Sequence, residues 1–133
     1  MMKLSEIRKA YEDLSGKLSD INRQLCFAGF AIIWIFNKSK EDIAVPEELY
    51  LPAFLLCCSI FCDIFQYILS SLSWYFYYSI KRKKEKNDDE NIVDEPESLN
   101  IAPWMLFIFK IIFLILAYMK IGVFLFNLIE SNN

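Results

Sequence analysis

The chain has 133 residues, a formal net charge of −3 and no histidine. Hydrophobic residues make up 56% and aromatics 17%, against only 3 Gly and 4 Pro. That balance excludes collagen-like, disordered and disulfide-scaffold classes and points to a small helical membrane protein. No basic excess suggests nucleic acid, and the missing His removes the commonest general base and metal ligand.

Residues 1–24 predict an amphipathic cytosolic helix, and no signal peptide, because they are polar rather than an apolar run with a cleavage site. Leu4, Ile7, Tyr11, Leu14, Leu18, Ile21 and Leu25 alternate spacings of three and four, with charged residues on the other faces. Such a stripe predicts either a helix lying on the bilayer surface or a helix–helix seam. Its narrowness favours the seam, formed with a second copy or a partner protein. Ser15-Gly16 is the point where this helix is expected to bend.

Residues 21–36 predict the first membrane helix. Its clean apolar core, Leu25 to Phe36, is about 18 Å long against a hydrocarbon core of about 30 Å. A span is preferred, with Arg23 and Lys38 snorkelling to opposite surfaces; a re-entrant or surface segment is the alternative. Ala28, Gly29 and Ala31 offer a small-residue face for close helix approach.

Residues 37–48 read as a polar outer loop, and residues 49–80 as the second membrane helix. Pro52 suits its first turn, while Trp74, Tyr75, Tyr77 and Tyr78 form an interfacial belt before Lys81-Arg82-Lys83-Lys84. Residues 81–100 are a charged cytosolic loop, and residues 101–129 the third membrane helix, with Pro103 and Trp104 at its start. Lysine and arginine concentrate in the N-terminal segment and the 81–100 loop, which predicts a multi-pass inner-membrane protein with its N-terminus cytoplasmic and its C-terminus outside.

Only three charged residues lie inside the long apolar stretches: Asp63, Lys110 and Lys120. Ser59, Asp63, Gln66, Ser70, Ser73 and Tyr77 recur at spacings of four and three, which places them on one face of the second helix. Lipid cannot satisfy that face, so it is expected to point into a bundle. Lys110, Ala117, Lys120 and Asn127 give the third helix a matching face. Side chains lean toward a helix N-terminus, so Lys110 is expected to snorkel and Lys120 to pair with Asp63, with Lys110 the second choice. The pair serves either to fix helix register or as part of a polar pathway or partner site.

Cys26, Cys57, Cys58 and Cys62 lie in apolar stretches, without CxxC spacing, and are expected to act as small hydrophobes rather than a disulfide or metal set. No hydrolase, nucleotide or metalloprotease motif is present, so no enzyme and no cofactor is expected.

The run Leu18-Ser-Asp-Ile-Asn-Arg-Gln-Leu-Cys-Phe-Ala-Gly-Phe-Ala-Ile-Ile-Trp-Ile-Phe36 resembles segments of small bacterial membrane proteins in which an N-terminal helix feeds the first span. From Tyr50 onward, Lys81 to Lys84, Asn100-Ile-Ala-Pro103 and the Asn132-Asn133 end are similar in layout to the immunity proteins of pore-forming colicins. That resemblance implies a three-span module that binds a pore-former in the bilayer. The heptad helix departs from that family and is closer in architecture to small membrane effectors of bacterial antiphage systems. The expected function is therefore a non-enzymatic inner-membrane effector or accessory protein of bacterial conflict, acting by oligomerisation or membrane perturbation. A colicin-type immunity protein is the alternative, and an ion-coupled transporter subunit using Asp63 is a third reading. The expected partners are the lipid bilayer and a second copy or another protein at residues 4–25.

Overall fold

The computed structural model describes residues 4–37, 45–84 and 101–132. The order is α1 (Leu4–Ile35), a one-turn 3-10 helix (Glu47–Leu49), α2 (Tyr50–Lys84) and α3 (Ile101–Ser131). Among the described residues all regular structure is helical, in agreement with the all-α expectation. Alpha2 runs on through Lys84, four residues into the loop expected at 81–100; the Lys81–Lys84 side chains, the rest of that loop and most of the loop expected at 37–48 lie outside the described residues.

The amphipathic segment and the first apolar segment form a single helix, which runs unbroken through Ser15-Gly16. The Ser15 hydroxyl donates 3.0 Å to the Glu12 carbonyl, within the preceding turn. The end of α1 tightens into i→i+3 bonds, Phe36 to Ile33 at 3.2 Å and Asn37 to Trp34 at 3.1 Å, which satisfy carbonyls left over at a helix end. Pro46 precedes the 3-10 turn, and its carbonyl accepts from the Leu49 N–H at 2.9 Å. Pro52 falls in the first turn of α2, where its missing N–H costs no helical bond.

The Glu47–Ile80 and Ile101–Ser131 segments are long and apolar enough to cross a membrane, yet only 17% and 28% of their most apolar windows are buried in the bundle. A core helix of a water-soluble domain is mostly covered. These helices instead display Phe54, Phe61, Ile64, Ile108, Ile115 and Met119, among many others, on the outside. Apolar exposure on that scale is matched by lipid or by protein partners, not by water.

Alpha1 lies parallel to α3 and antiparallel to α2. Tyr11 stacks on Trp104 with centroids 5.1 Å apart, the Tyr118 hydroxyl donates 2.8 Å to the Leu25 carbonyl, and Phe36 meets Phe124 edge-on at 5.2 Å. These contacts hold α1 beside α3 along most of its length. Ser59 reaches Lys110 between α2 and α3. The bundle thus has a near end, carrying Tyr11 and Trp104, and a far end, carrying Glu47 and the last turns of α3.

The small-residue expectation holds at one position. Gly29 is buried against Leu56, and a Cβ there would lie 2.7 Å from Leu56 Cδ1. Ala28 and Ala31 face outward instead. The far half of the interior is apolar, built from Cys26, Ile33, Leu49, Leu56, Leu114, Ala117 and Ile121.

Candidate functional site

The near half of the interior is polar. Ser15, Ser19, Asn22, Cys26, Gly29 and Ile33 form the inward line of α1, at spacings of four and three. Its first three members are hydrophilic and its last three small or apolar. The α2 stripe expected from the sequence faces them: Ser59 and Asp63 are buried, and Gln66, Ser70, Ser73 and Tyr77 are half-buried. On α3 the buried line is Pro103, Phe107, Lys110, Leu114, Ala117 and Ile121.

Asp63 pairs with Lys110, not with Lys120. The lean of Lys110 toward its helix N-terminus does not carry it to a surface, because α1 covers that side and the side chain is fully buried. Lys120 stands next to Ile121, which takes the inward position in the apolar half, so Lys120 turns out to the far rim. Asn127 lies on the same rim. The expected face shared by Lys110, Ala117, Lys120 and Asn127 therefore divides after Ala117.

The Lys110 ammonium has three neighbours for its three N–H groups: an Asp63 carboxylate oxygen, the Ser19 hydroxyl at 2.8 Å and the Phe107 ring face at 5.0 Å. The second Asp63 oxygen lies 3.3 Å from Arg23 Nε. Arg23 also holds Asp20 at 2.7 Å and stacks over the Tyr67 ring at 5.8 Å. Arg23 therefore turns inward and does not snorkel away from the bundle as expected. Lys38, its expected counterpart, lies outside the described residues. The resulting run Asp20–Arg23–Asp63–Lys110 joins all three helices with two positive and two negative charges. Asp63 and Lys110 are its buried members, and their pairing is what makes burial tolerable, since an unpaired charge there is strongly unfavourable; Arg23 and Asp20 carry the run out to the surface.

A second layer of hydrogen bonds lies below the ions. The Ser59 hydroxyl donates 2.8 Å to the Lys110 carbonyl, and the Asn22 amide donates to Ser59 at 3.2 Å. Above the ions, toward the near end, Gln66 and Ser70 line a cavity of about 280 Å³ together with Tyr11, Glu12, Ser15 and Trp104. The Gln66 Oε1 is buried there without a protein partner. The cavity does not continue through the bundle: below Cys26 and Ser59 the interior is the apolar half described above.

Arg23, Ser19 and Asn22 are members of the cluster that the apolar stripe of α1 conceals in the sequence. Their own spacing carries the signal, because Ser15, Ser19, Asn22 and Cys26 repeat in the rhythm of the α2 stripe. The heptad stripe itself points away from the bundle except at Tyr11, which stacks on Trp104. Ile7, Tyr11, Leu14, Leu18, Ile21 and Leu25 are all exposed, Leu14 by 66%. The side chain of Leu4 lies outside the described residues.

The four cysteines are free, with Cys26 buried. Among the described residues no group of His, Cys, Asp and Glu is arranged to hold a metal ion. Compared with known proteins, the chain matches no family model, no curated protein and no solved structure.

Proposed function

We propose that the chain is a non-enzymatic inner-membrane protein that crosses the bilayer three times, with its N-terminus cytoplasmic and its C-terminus outside. It acts as an effector or accessory protein in bacterial conflict, such as antiphage defence, by assembling through α1. The observation that carries this reading is the two-sidedness of α1: one face is locked to α2 and α3 by ions and hydrogen bonds, and the other displays Ile7, Leu14, Leu18, Ile21 and Leu25 of the heptad stripe.

Two features support the membrane and assembly parts of the reading. Alpha1 is in register with α3, so when α3 spans the bilayer the stretch from Tyr11 to Phe36 lies at the same depths. Lys17 is exposed on α1 close to the turn that meets Lys110 of α3. Facing lipid, such a charge costs about 2.5–3.5 kcal/mol on insertion scales, which a partner helix that brings a counter-charge reduces. The neutral ion cluster suits a fixed anchor that holds α1 upright while its outer face changes partners.

The test combines assembly and effect. Wild-type protein in mild detergent is expected to run as an oligomer, and its induced expression to depolarise host cells. Leu14→Asp with Leu18→Asp is expected to reduce it to single copies and remove the depolarisation. An unchanged assembly and an unchanged effect in that variant reject the seam. Harmless expression combined with protection against one pore-forming toxin transfers the chain to the immunity reading.

A further inference from the structure

We infer that the groove at the far end of the bundle is a headgroup site for a phospholipid bearing a primary amine. This assignment rests on the membrane placement proposed above. The groove encloses about 510 Å³ between the start of α2 and the last turns of α3. Three charged side chains line it, Glu47, Glu48 and Lys120, and among the described residues none of them is in an ion pair. Leu51, Phe124 and Leu128 supply its apolar walls.

The vertical order of the charges selects the ligand. Counted at 1.5 Å per residue from the Ser59–Lys110 contact, Lys120 stands about 15 Å toward the far end and Glu48 about 17 Å. Side chains tend toward their helix N-terminus, which is inward for Lys120 and outward for Glu47 and Glu48, so the ammonium is expected deeper than the carboxylates. A phospholipid headgroup presents its phosphate deep, next to the glycerol, and its amine farther out. Lys120 therefore meets the phosphate, while Glu47 and Glu48 accept N–H donors from the amine. The walls of Leu51, Phe124 and Leu128 open toward the acyl chain.

Each alternative lipid lacks one half of this match. A trimethylated amine has no N–H to donate, and an anionic headgroup without an amine sets its charge beside two carboxylates. The site also accounts for Lys120, a charged residue in an apolar helix that has no place in the Asp63 cluster.

The experiment uses the full chain purified in detergent micelles, with added phosphatidylethanolamine, phosphatidylcholine or phosphatidylglycerol. The readouts are the thermal unfolding midpoint and the lipid retained in native mass spectrometry. Phosphatidylethanolamine is expected to raise the midpoint and to be retained about tenfold more tightly than the other two. Lys120→Met and the Glu47→Gln, Glu48→Gln pair are expected to abolish that preference while leaving the midpoint without lipid unchanged, because all three side chains are exposed. Equal response to the three lipids, preference for phosphatidylglycerol, or preference retained in both variants overturns the assignment. Failure of the membrane placement is separately visible, as chain that stays in the supernatant when cell membranes are pelleted without detergent.

Discussion

Substitution of Asp63 and of Lys110 is expected to cost unequal amounts. Asp63 sits between two cations, with Lys110 on one carboxylate oxygen and Arg23 Nε 3.3 Å from the other. Asp63→Asn leaves Lys110 fully buried without its counter-charge and beside a second positive charge, with only neutral partners: the new amide oxygen, the Ser19 hydroxyl and the Phe107 ring. Breaking a buried pair in this way costs about 3–5 kcal/mol. Lys110→Met leaves Asp63 still paired with Arg23, so its cost is lower, about 1–3 kcal/mol from the lost bonds to the carboxylate. Removing both leaves no buried unpaired Lys110, and the double variant is expected to be more stable than the summed losses by about 1–2 kcal/mol. The assay is reversible unfolding in mixed micelles of mild and denaturing detergent, completed as a double-mutant cycle. Additive losses refute the pairing, and coupling of Asp63→Asn to Lys120→Met in its place restores the register expected from side-chain lean. Equal losses for the two single substitutions refute the role given to Arg23.

Gly29→Leu is expected to force α1 away from α2, since even a Cβ at that position comes within 2.7 Å of Leu56 Cδ1. A loss of about 1–3 kcal/mol in the same unfolding assay, partly restored by Leu56→Ala, is the expected result. Ser59→Ala removes the donor to the Lys110 carbonyl and leaves the Asn22 amide without its acceptor, for a loss of about 1–3 kcal/mol. Tyr118→Phe, which deletes a single bond to the Leu25 carbonyl, is expected to cost no more than about 1.5 kcal/mol and to leave oligomer size unchanged by size-exclusion chromatography.

Alpha2 and α3 were legible in the sequence because helices long and apolar enough to cross a membrane have simple signatures: long apolar runs, Pro52 and Pro103 in first turns, and polar residues at spacings of three and four. The inward face of α2 was legible for the same reason, since Ser59 and Asp63 cannot be left in an apolar medium. The Asp63 partner was not. Lys110 and Lys120 are ten residues apart on one helix, and side-chain lean discriminates between them only if both are free to follow it. Tertiary packing decided the matter: α1 closes over Lys110 and offers it Ser19, while Ile121 displaces Lys120 to the rim. The inner face of α1 is masked in the sequence because its apolar stripe is the stronger periodic signal, and most of that stripe belongs to the outer surface. Arg23 looked like an interfacial anchor because nothing local shows that a carboxylate from α2 lies within reach.

The central claim is that α1 crosses the membrane alongside α3 instead of lying on a surface. In the proposed orientation the loop before α2 is outside, so a crossing α1 places its first turn in the cytosol, and a surface-lying α1 places it outside. The direct measurement is the labelling of a cysteine at Ser5 by a membrane-impermeant maleimide, in a variant with Cys26, Cys57, Cys58 and Cys62 replaced. In intact spheroplasts Ser5→Cys is expected to remain unlabelled and to react only after permeabilisation, while Ser131→Cys reacts in both. Labelling of Ser5→Cys in intact spheroplasts contradicts the crossing of α1, and with it the depth assigned to the ion cluster.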